Sequence, residues 1–241
     1  TIATFLTRRC FEQVAMDLCL HNLPVRLIAN GGGLVYAPLG PTHIAIDDIA
    51  LMRTLPNMSV VCPSDAREMK RFMSKSLTWE TPLYIRLGKG SDPIVSRETD
   101  DYKIGESILL REPKDVLIIA SGVMVGRAIV AAELLSERSI STGVLNMHTI
   151  KPLDEYNLKI ISNDVAAIVT LDEHLLAGGL GSAVLECLND DRLNKISKKI
   201  FRIGIQDQFT QDYGSQDSLM ESFGLQPDQI ADSVENMYRN I

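Results

Sequence analysis

The chain has 241 residues, 45% of them hydrophobic and 23% charged, which excludes disordered and fibrous classes. Its 24 basic and 31 acidic side chains leave a net charge of −7. That charge argues against nucleic acid and anionic membrane as partners, because both call for a basic face, and no apolar run reaches the roughly 18–20 residues of a membrane helix.

Short β-branched runs alternate with helix-period segments, the rhythm of βα units and parallel sheets. An amphipathic segment runs from Phe5 to His21. A strand, Val25 to Asn30, leads into Gly31-Gly32-Gly33 and then a predicted helix from His43 to Leu55, with Thr42 as its N-cap. Met58 to Cys62 reads as a second strand, stopped by Pro63, with Ser64 capping a helix that reaches Leu77. Leu83 to Leu87 is the third strand. The stretch from Gly88 to Gly105 is polar and aperiodic and reads as a linker. The rhythm restarts with a strand at Val116–Ala120, a helix at Val125–Glu137 and a strand at Gly143–Asn146. A short helix from Asp154, a strand Ala166–Leu171, a helix Gly181–Leu188 and a strand Ile200–Ile205 follow, and Asp228–Arg239 closes the chain as helix.

The expected fold class is therefore α/β, with two doubly wound, mostly parallel-sheet domains at residues 1–88 and 107–241 and a linker at 89–106. The first opens on a helix and has three strands, and no methionine precedes Thr1. A parallel sheet needs both faces covered, so this domain is expected to be truncated at its N-terminus. Cys10, Cys19, Cys62 and Cys187 lack CxxC spacing and read as reduced thiols of a cytoplasmic protein, with no metal site. Arg8 and Arg9 interrupt the only apolar stretch that resembles a leader.

In open parallel sheets, ligands bind beyond the carboxyl ends of strands. One such loop runs from Gly31 to His43. Its glycines allow close backbone approach, and a histidine at a helix start tends to stay neutral and able to pass a proton. A second loop, Asp172-Glu173-His174 with Gly178-Gly179-Leu180-Gly181, mimics a dinucleotide fingerprint. The mimicry is incomplete, since Val184 stands where the third glycine belongs; a glycine turn packing a helix on its strand is the plainer reading. Arg86 and Lys89 end the third strand, and Arg8 and Arg9 lie on the first helix, all suited to phosphate or carboxylate. Phe5 and Phe11 read most simply as core.

Together these pieces resemble the transketolase-like thiamine diphosphate enzymes. Thr4-Phe5-Leu6-Thr7-Arg8-Arg9 and Phe11-Glu12-Gln13 are similar to the entry of their pyrimidine-binding domain. Gly40-Pro41-Thr42-His43 with Asp47-Asp48-Ile49 resembles that domain's substrate loop, and Pro63-Ser64-Asp65-Ala66 and Tyr84-Ile85-Arg86-Leu87-Gly88 fit its following strands. Ile150-Lys151-Pro152-Leu153-Asp154, Glu173-His174, Gly178–Ser182 and Tyr213-Gly214-Ser215-Gln216 look like the family's C-terminal domain.

The resemblance implies that Phe5 stacks on the aminopyrimidine and that Phe11 lies in the same pocket. It implies that His43 contacts a substrate hydroxyl or carbonyl, and that Arg8, Arg86 and Lys89 hold substrate anions. Leu39 stands where many transketolases carry a sugar-reading aspartate, so pentose specificity is not implied. The family's pyrimidine-protonating glutamate and its diphosphate- and Mg²⁺-binding domain lie outside these residues. The expected function is that of a C-terminal subunit or fragment of an enzyme that transfers a two-carbon ketol unit through thiamine diphosphate, inactive without the diphosphate-binding part. The implied assembly is a homodimer, or a heterotetramer with an N-terminal subunit, and the substrate a small phosphorylated sugar or 2-oxo acid. The alternatives are a decarboxylating relative (deoxyxylulose phosphate synthase or the β component of a 2-oxo acid dehydrogenase) and a non-catalytic assembly module.

Overall fold

The structure is a computed structural model and describes residues 1–189 and 198–241. The opening segment is helical but unevenly underwound: wide turns at Phe5–Arg9 and Val14–Cys19 flank a short α1 (Phe11–Gln13). Leu20 N–H reaches back to Ala15 O at 2.9 Å, the five-residue spacing of a π-turn. Then come β1 (Arg26–Asn30), α2 (Asp48–Thr54), β2 (Ser59–Val61), α3 (Ala66–Ser76) and β3 (Leu83–Leu87). The second half supplies β4 (Ile108–Arg111), β5 (Val116–Ala120), α4 (Met124–Glu137), β6 (Thr142–Asn146), β7 (Thr149–Lys151) and α5 (Glu155–Asn163). β8 (Ala167–Leu175), α6 (Leu180–Asn189), β9 (Lys199–Ile205), α7 (Gln216–Ser222) and α8 (Pro227–Arg239) complete it. Among the described residues, no helix is long and apolar enough to cross a membrane.

Two mixed, mostly parallel sheets result. The first has the order β1-β3-β2-β7 and the second β4-β6-β5-β8-β9, with β7 and β4 as antiparallel edges. The edge strands β4 and β7 were not expected. β7 is three residues long and lies beyond the linker, yet it pairs with β2 of the first sheet. A strand this short shows no alternation that a sequence reading can detect.

The halves also share a core. Val60, Cys62 and Tyr84 of the first lie in one apolar cluster with Leu117, Ile119 and Leu145 of the second. Each large side chain buried this way contributes about 1.5–3 kcal/mol, so this cluster holds the sheets together. The segment between β3 and β4 has no regular structure but is pinned. Asp65, rather than the expected Ser64, caps α3 by accepting Glu68 N–H at 2.9 Å. The same carboxylate accepts Val95 N–H at 2.8 Å, Ser96 N–H at 2.7 Å and the Ser96 hydroxyl at 2.9 Å. Burial pushes its pKa up, but these hydrogen bonds outweigh that and leave it below the ordinary value.

Glu68, on the first turn of α3, ties that helix to β6. Its carboxylate accepts the Ser64 N–H and, at 2.7 Å, the Asn146 amide. The side chain is buried, and burial raises its pKa to about 7, against the lowering effect of those bonds. Below about pH 4.5 both folded and unfolded states hold the proton; between there and about 7 only the folded state keeps it. Stability therefore falls as pH rises through that window, by on the order of 3 kcal/mol. Buried His148 works in the opposite sense: burial lowers its pKa to about 3, so stability falls as pH drops from about 6.5. Glu68→Gln removes the first contribution and leaves the second. Asn146 Oδ1 has no partner among the described residues, so a flip of the Asn146 amide would let it accept from the introduced amide. Denaturant unfolding of both proteins at pH 5 and pH 8 is expected to show the variant gaining on wild type at the higher pH. An unchanged difference at the two pH values would remove the role of Glu68.

Candidate active site

The glycine loop hangs from the end of the first sheet. Gly31 and Gly32 N–H both donate to Leu87 O at 2.9 Å, and Gly33 bridges Ala45 with bonds of 2.7 and 3.1 Å. Between those residues the chain makes a turn at Ala37–Leu39 and carries His43 back toward the opening helix. There the Phe5 and His43 rings meet edge-on, with centroids 5.0 Å apart and planes at 63°. Arg9 covers a face of Phe5, its guanidinium carbon 4.0 Å from the ring centroid. The Thr42 hydroxyl lies 2.9 Å from His43 Nδ1.

His43 does not start a helix. Residues 44–46 are buried, and α2 begins only at Asp48. The carboxylate of Asp47, at the N-cap position, makes no capping bond; it pairs with Arg8 Nε at 2.9 Å. The dipole argument for a neutral ring thus does not apply to His43, whose surroundings are Phe5 and Thr42.

The predicted anion-binding residues separate into different environments. Arg8 lines a cleft of about 490 Å³ with Pro41 and Thr42 on one wall and Phe209, Thr210 and Tyr213 on the other. Its pair with Asp47 is about a quarter exposed (26% and 28%), with Nε 3.1 and 2.9 Å from the two carboxylate oxygens.

Arg86, expected to hold a substrate anion, is turned into the interior instead. Its side chain is 7% exposed, and Nε donates to Asp48 Oδ2 at 2.8 Å. Nη2 donates to Ala45 O at 3.2 Å and Glu173 O at 3.0 Å. Tyr84 Oη donates to the same Asp48 oxygen at 2.7 Å, and burial with the Asp48 charge drives its pKa upward. Lys89 is exposed at a separate cleft of about 220 Å³, beside Asn30, Ser64 and Asp92. Phe11 is half-buried against the core cluster of Val14 and Cys19. The structure thus brings Phe5 to His43 and Arg8 to Thr42, and places Arg86 in the interior and Lys89 at another cleft.

The second glycine loop is a packing device. Asp172 Oδ2 accepts Leu180 N–H at 2.7 Å, filling the start of α6 where a dinucleotide phosphate would sit. A Cβ on Gly181 would come within 2.7 Å of Thr170 Oγ1. His174 Nδ1–H donates to Leu175 O at 2.7 Å while Nε2 accepts Ala50 N–H at 3.3 Å, which assigns the neutral tautomer. Glu173 is the residue whose role the sequence does not reveal. Its Oε1 accepts Leu34 N–H at 2.7 Å and the Gln216 amide at 2.8 Å. Burial raises its pKa, opposed by the Arg86 charge.

An aromatic ring suits stacking on the aminopyrimidine of thiamine diphosphate, and the imidazole and arginine near it have the chemistry expected for substrate contacts. Among the described residues, no three His, Cys, Asp or Glu side chains converge as a metal site.

Comparison with known proteins places residues 1–93 in the family described as "Transketolase, pyrimidine binding domain" and residues 105–230 in "Transketolase, C-terminal domain". A 1-deoxy-D-xylulose-5-phosphate synthase from Caldanaerobacter subterraneus subsp. tengcongensis is 35% identical over 241 residues, 99% of this chain but 38% of that protein. The 6-deoxy-6-sulfo-D-fructose transketolase subunit SqwH of a Clostridium species is 34% identical over 230 residues, 95% of this chain and 70% of the subunit. A solved split-gene transketolase, described as an inactive beta4 tetramer, superposes with a TM-score of 0.88 at 34% identity, over 98% of this chain and 74% of that one. The Campylobacter jejuni transketolase, 16% identical with a TM-score of 0.78, shares the fold over 35% of its length.

Proposed function

This chain belongs to the transketolase-like family of thiamine diphosphate enzymes, and from that membership we propose that it is the C-terminal subunit or section of an enzyme transferring two-carbon ketol units. The observation carrying this reading is the contact of Phe5 with His43 at 5.0 Å, beside the cleft that holds Arg8. Thiamine diphosphate, when bound, supplies an electron sink for cleavage of the bond beside a carbonyl carbon. Phe5 offers its ring to the aminopyrimidine, and Phe11 backs that pocket. His43 holds or moves a proton at a substrate hydroxyl or carbonyl oxygen. Arg8 releases Asp47 to hold a substrate carboxylate or phosphate, with Lys89 as a cation farther along the surface.

Mg²⁺ and the diphosphate belong to a separate diphosphate-binding half in this reading, so the chain works as part of a homodimer or a heterotetramer. Its cysteines lack CxxC spacing, which supports our placing it in the cytoplasm. A decarboxylating activity is the second reading, favoured by Arg8 and by the 35% identity to a deoxyxylulose phosphate synthase.

One assay addresses both. The protein, combined with its diphosphate-binding half, thiamine diphosphate and Mg²⁺, is given an aldehyde acceptor with either hydroxypyruvate or pyruvate. Turnover with hydroxypyruvate and none without the partner half is the expected result. Turnover with pyruvate alone selects the second reading, and no turnover with either donor refutes both.

A further inference from the structure

Building on this assignment of His43, we infer that Glu173, from the C-terminal half, is a positioning residue that sets the His43 loop against Phe5. The loop opens and closes at the Gly33–Ala45 bridge, with bonds of 2.7 and 3.1 Å. Its apolar side chains Leu34, Ala37, Ile44 and Ile46 do not pack within the first half. They lie in one cluster with Leu171, Ile205 and Met220 of the second. Two further fastenings lie at the same base. Glu173 Oε1 joins Leu34 N–H to the Gln216 amide, at 2.7 and 2.8 Å. Leu175 N–H donates to Ile46 O at 2.8 Å.

The fit is close at the backbone. Gly33 has φ +70°, and a Cβ there would sit 2.2 Å from the Glu173 carboxyl carbon, so only glycine lets the loop pass this carboxylate. The Ala37–Leu39 turn rests on α7, the helix whose first residue is Gln216. A buried carboxylate is a costly way to fill space, since an apolar side chain avoids the desolvation penalty. Its distinctive contribution is an acceptor that fixes a backbone N–H of the loop and a side chain of α7 at once. His43 itself has little local support, namely the Thr42 hydroxyl at 2.9 Å and the Phe5 edge. Its position therefore follows from the loop base, and the loop base is held by the C-terminal half.

The test uses the assembled enzyme carrying Glu173→Ala or Glu173→Gln, each in wild-type and His43→Ala backgrounds. Glu173→Ala is expected to lower kcat per folded enzyme about 10- to 100-fold, with thiamine diphosphate affinity unchanged within about twofold. Glu173→Gln keeps an oxygen for Leu34 N–H and is expected to restore most of the loss. In the His43→Ala background the loss is expected to vanish, because the positioned group is gone. Unchanged kcat in Glu173→Ala, or the same factor lost in both backgrounds, overturns the inference. Should Glu173→Ala not fold, Glu173→Asp, which withdraws the carboxylate by one methylene, carries the same comparison. Amide deuterium exchange is read in parallel, with faster exchange expected over residues 34–45. If His43→Ala alone leaves turnover intact, the reading of His43 has failed and exchange decides by itself. Lost protection confined to residues 34–45 then upholds Glu173, and unchanged protection there overturns it.

Discussion

Replacing Asp48 with alanine is expected to lower the unfolding free energy by about 3–5 kcal/mol. Asp48 is fully buried, and one of its oxygens takes both the Tyr84 hydroxyl at 2.7 Å and Arg86 Nε at 2.8 Å. Removing it strands a guanidinium that is 7% exposed, and an uncompensated buried charge costs far more than the lost pair was contributing. Two backbone carbonyls remain on Nη2, but they carry no net charge. The double replacement Asp48→Leu with Arg86→Met takes both charges out of the interior and is expected to recover most of the loss. The measurement is the urea midpoint at constant m-value. A single-variant loss below about 1 kcal/mol, the range of a surface pair, would mean that Arg86 is better solvated than its burial indicates. The same series separates the two roles offered for Arg86. A substrate anchor raises KM on replacement and leaves unfolding alone, whereas an internal counter-ion does the reverse.

In the assembled enzyme, His43→Ala is expected to reduce turnover by about 10²- to 10⁴-fold, the usual range for losing a positioned acid–base group. The fold should tolerate the change. His43 is half-buried, and its ring contacts are the Thr42 hydroxyl and the Phe5 edge. Thermal unfolding of the variant close to wild type, with kcat depressed, separates chemistry from stability. Turnover within about threefold of wild type, under 1 kcal/mol of transition-state energy, would remove His43 from the mechanism.

Much of the candidate site was legible in the chain because its residues lie near one another in sequence or in a motif. Gly40-Pro41-Thr42-His43 marked the histidine loop, and Phe5 with Arg8 marked its neighbour. The error at His43 was local too. A run of Ile44, Ala45 and Ile46 suits a helix as readily as a buried extended bridge, and the burial of those residues settled it. Arg86 was recognisable as an inward-facing cation at the end of an apolar strand. Its partner was not, since Asp48 lies 38 residues away on a different element.

The sequence by itself determined the α/β rhythm and most strands and helices of both halves. Those features are written in short-range patterns: β-branched runs, helical periodicity, and glycine and proline punctuation. Only the tertiary structure decided that β7 closes the first sheet, that Arg86 belongs to the interior, and that Glu173 grips a loop 139 residues away. The physical reason is common to all three. Strand pairing across a linker, the burial of an ion pair and a side-chain bond to a distant N–H depend on what packs beside them once both sheets share a core, and no local pattern records that neighbour.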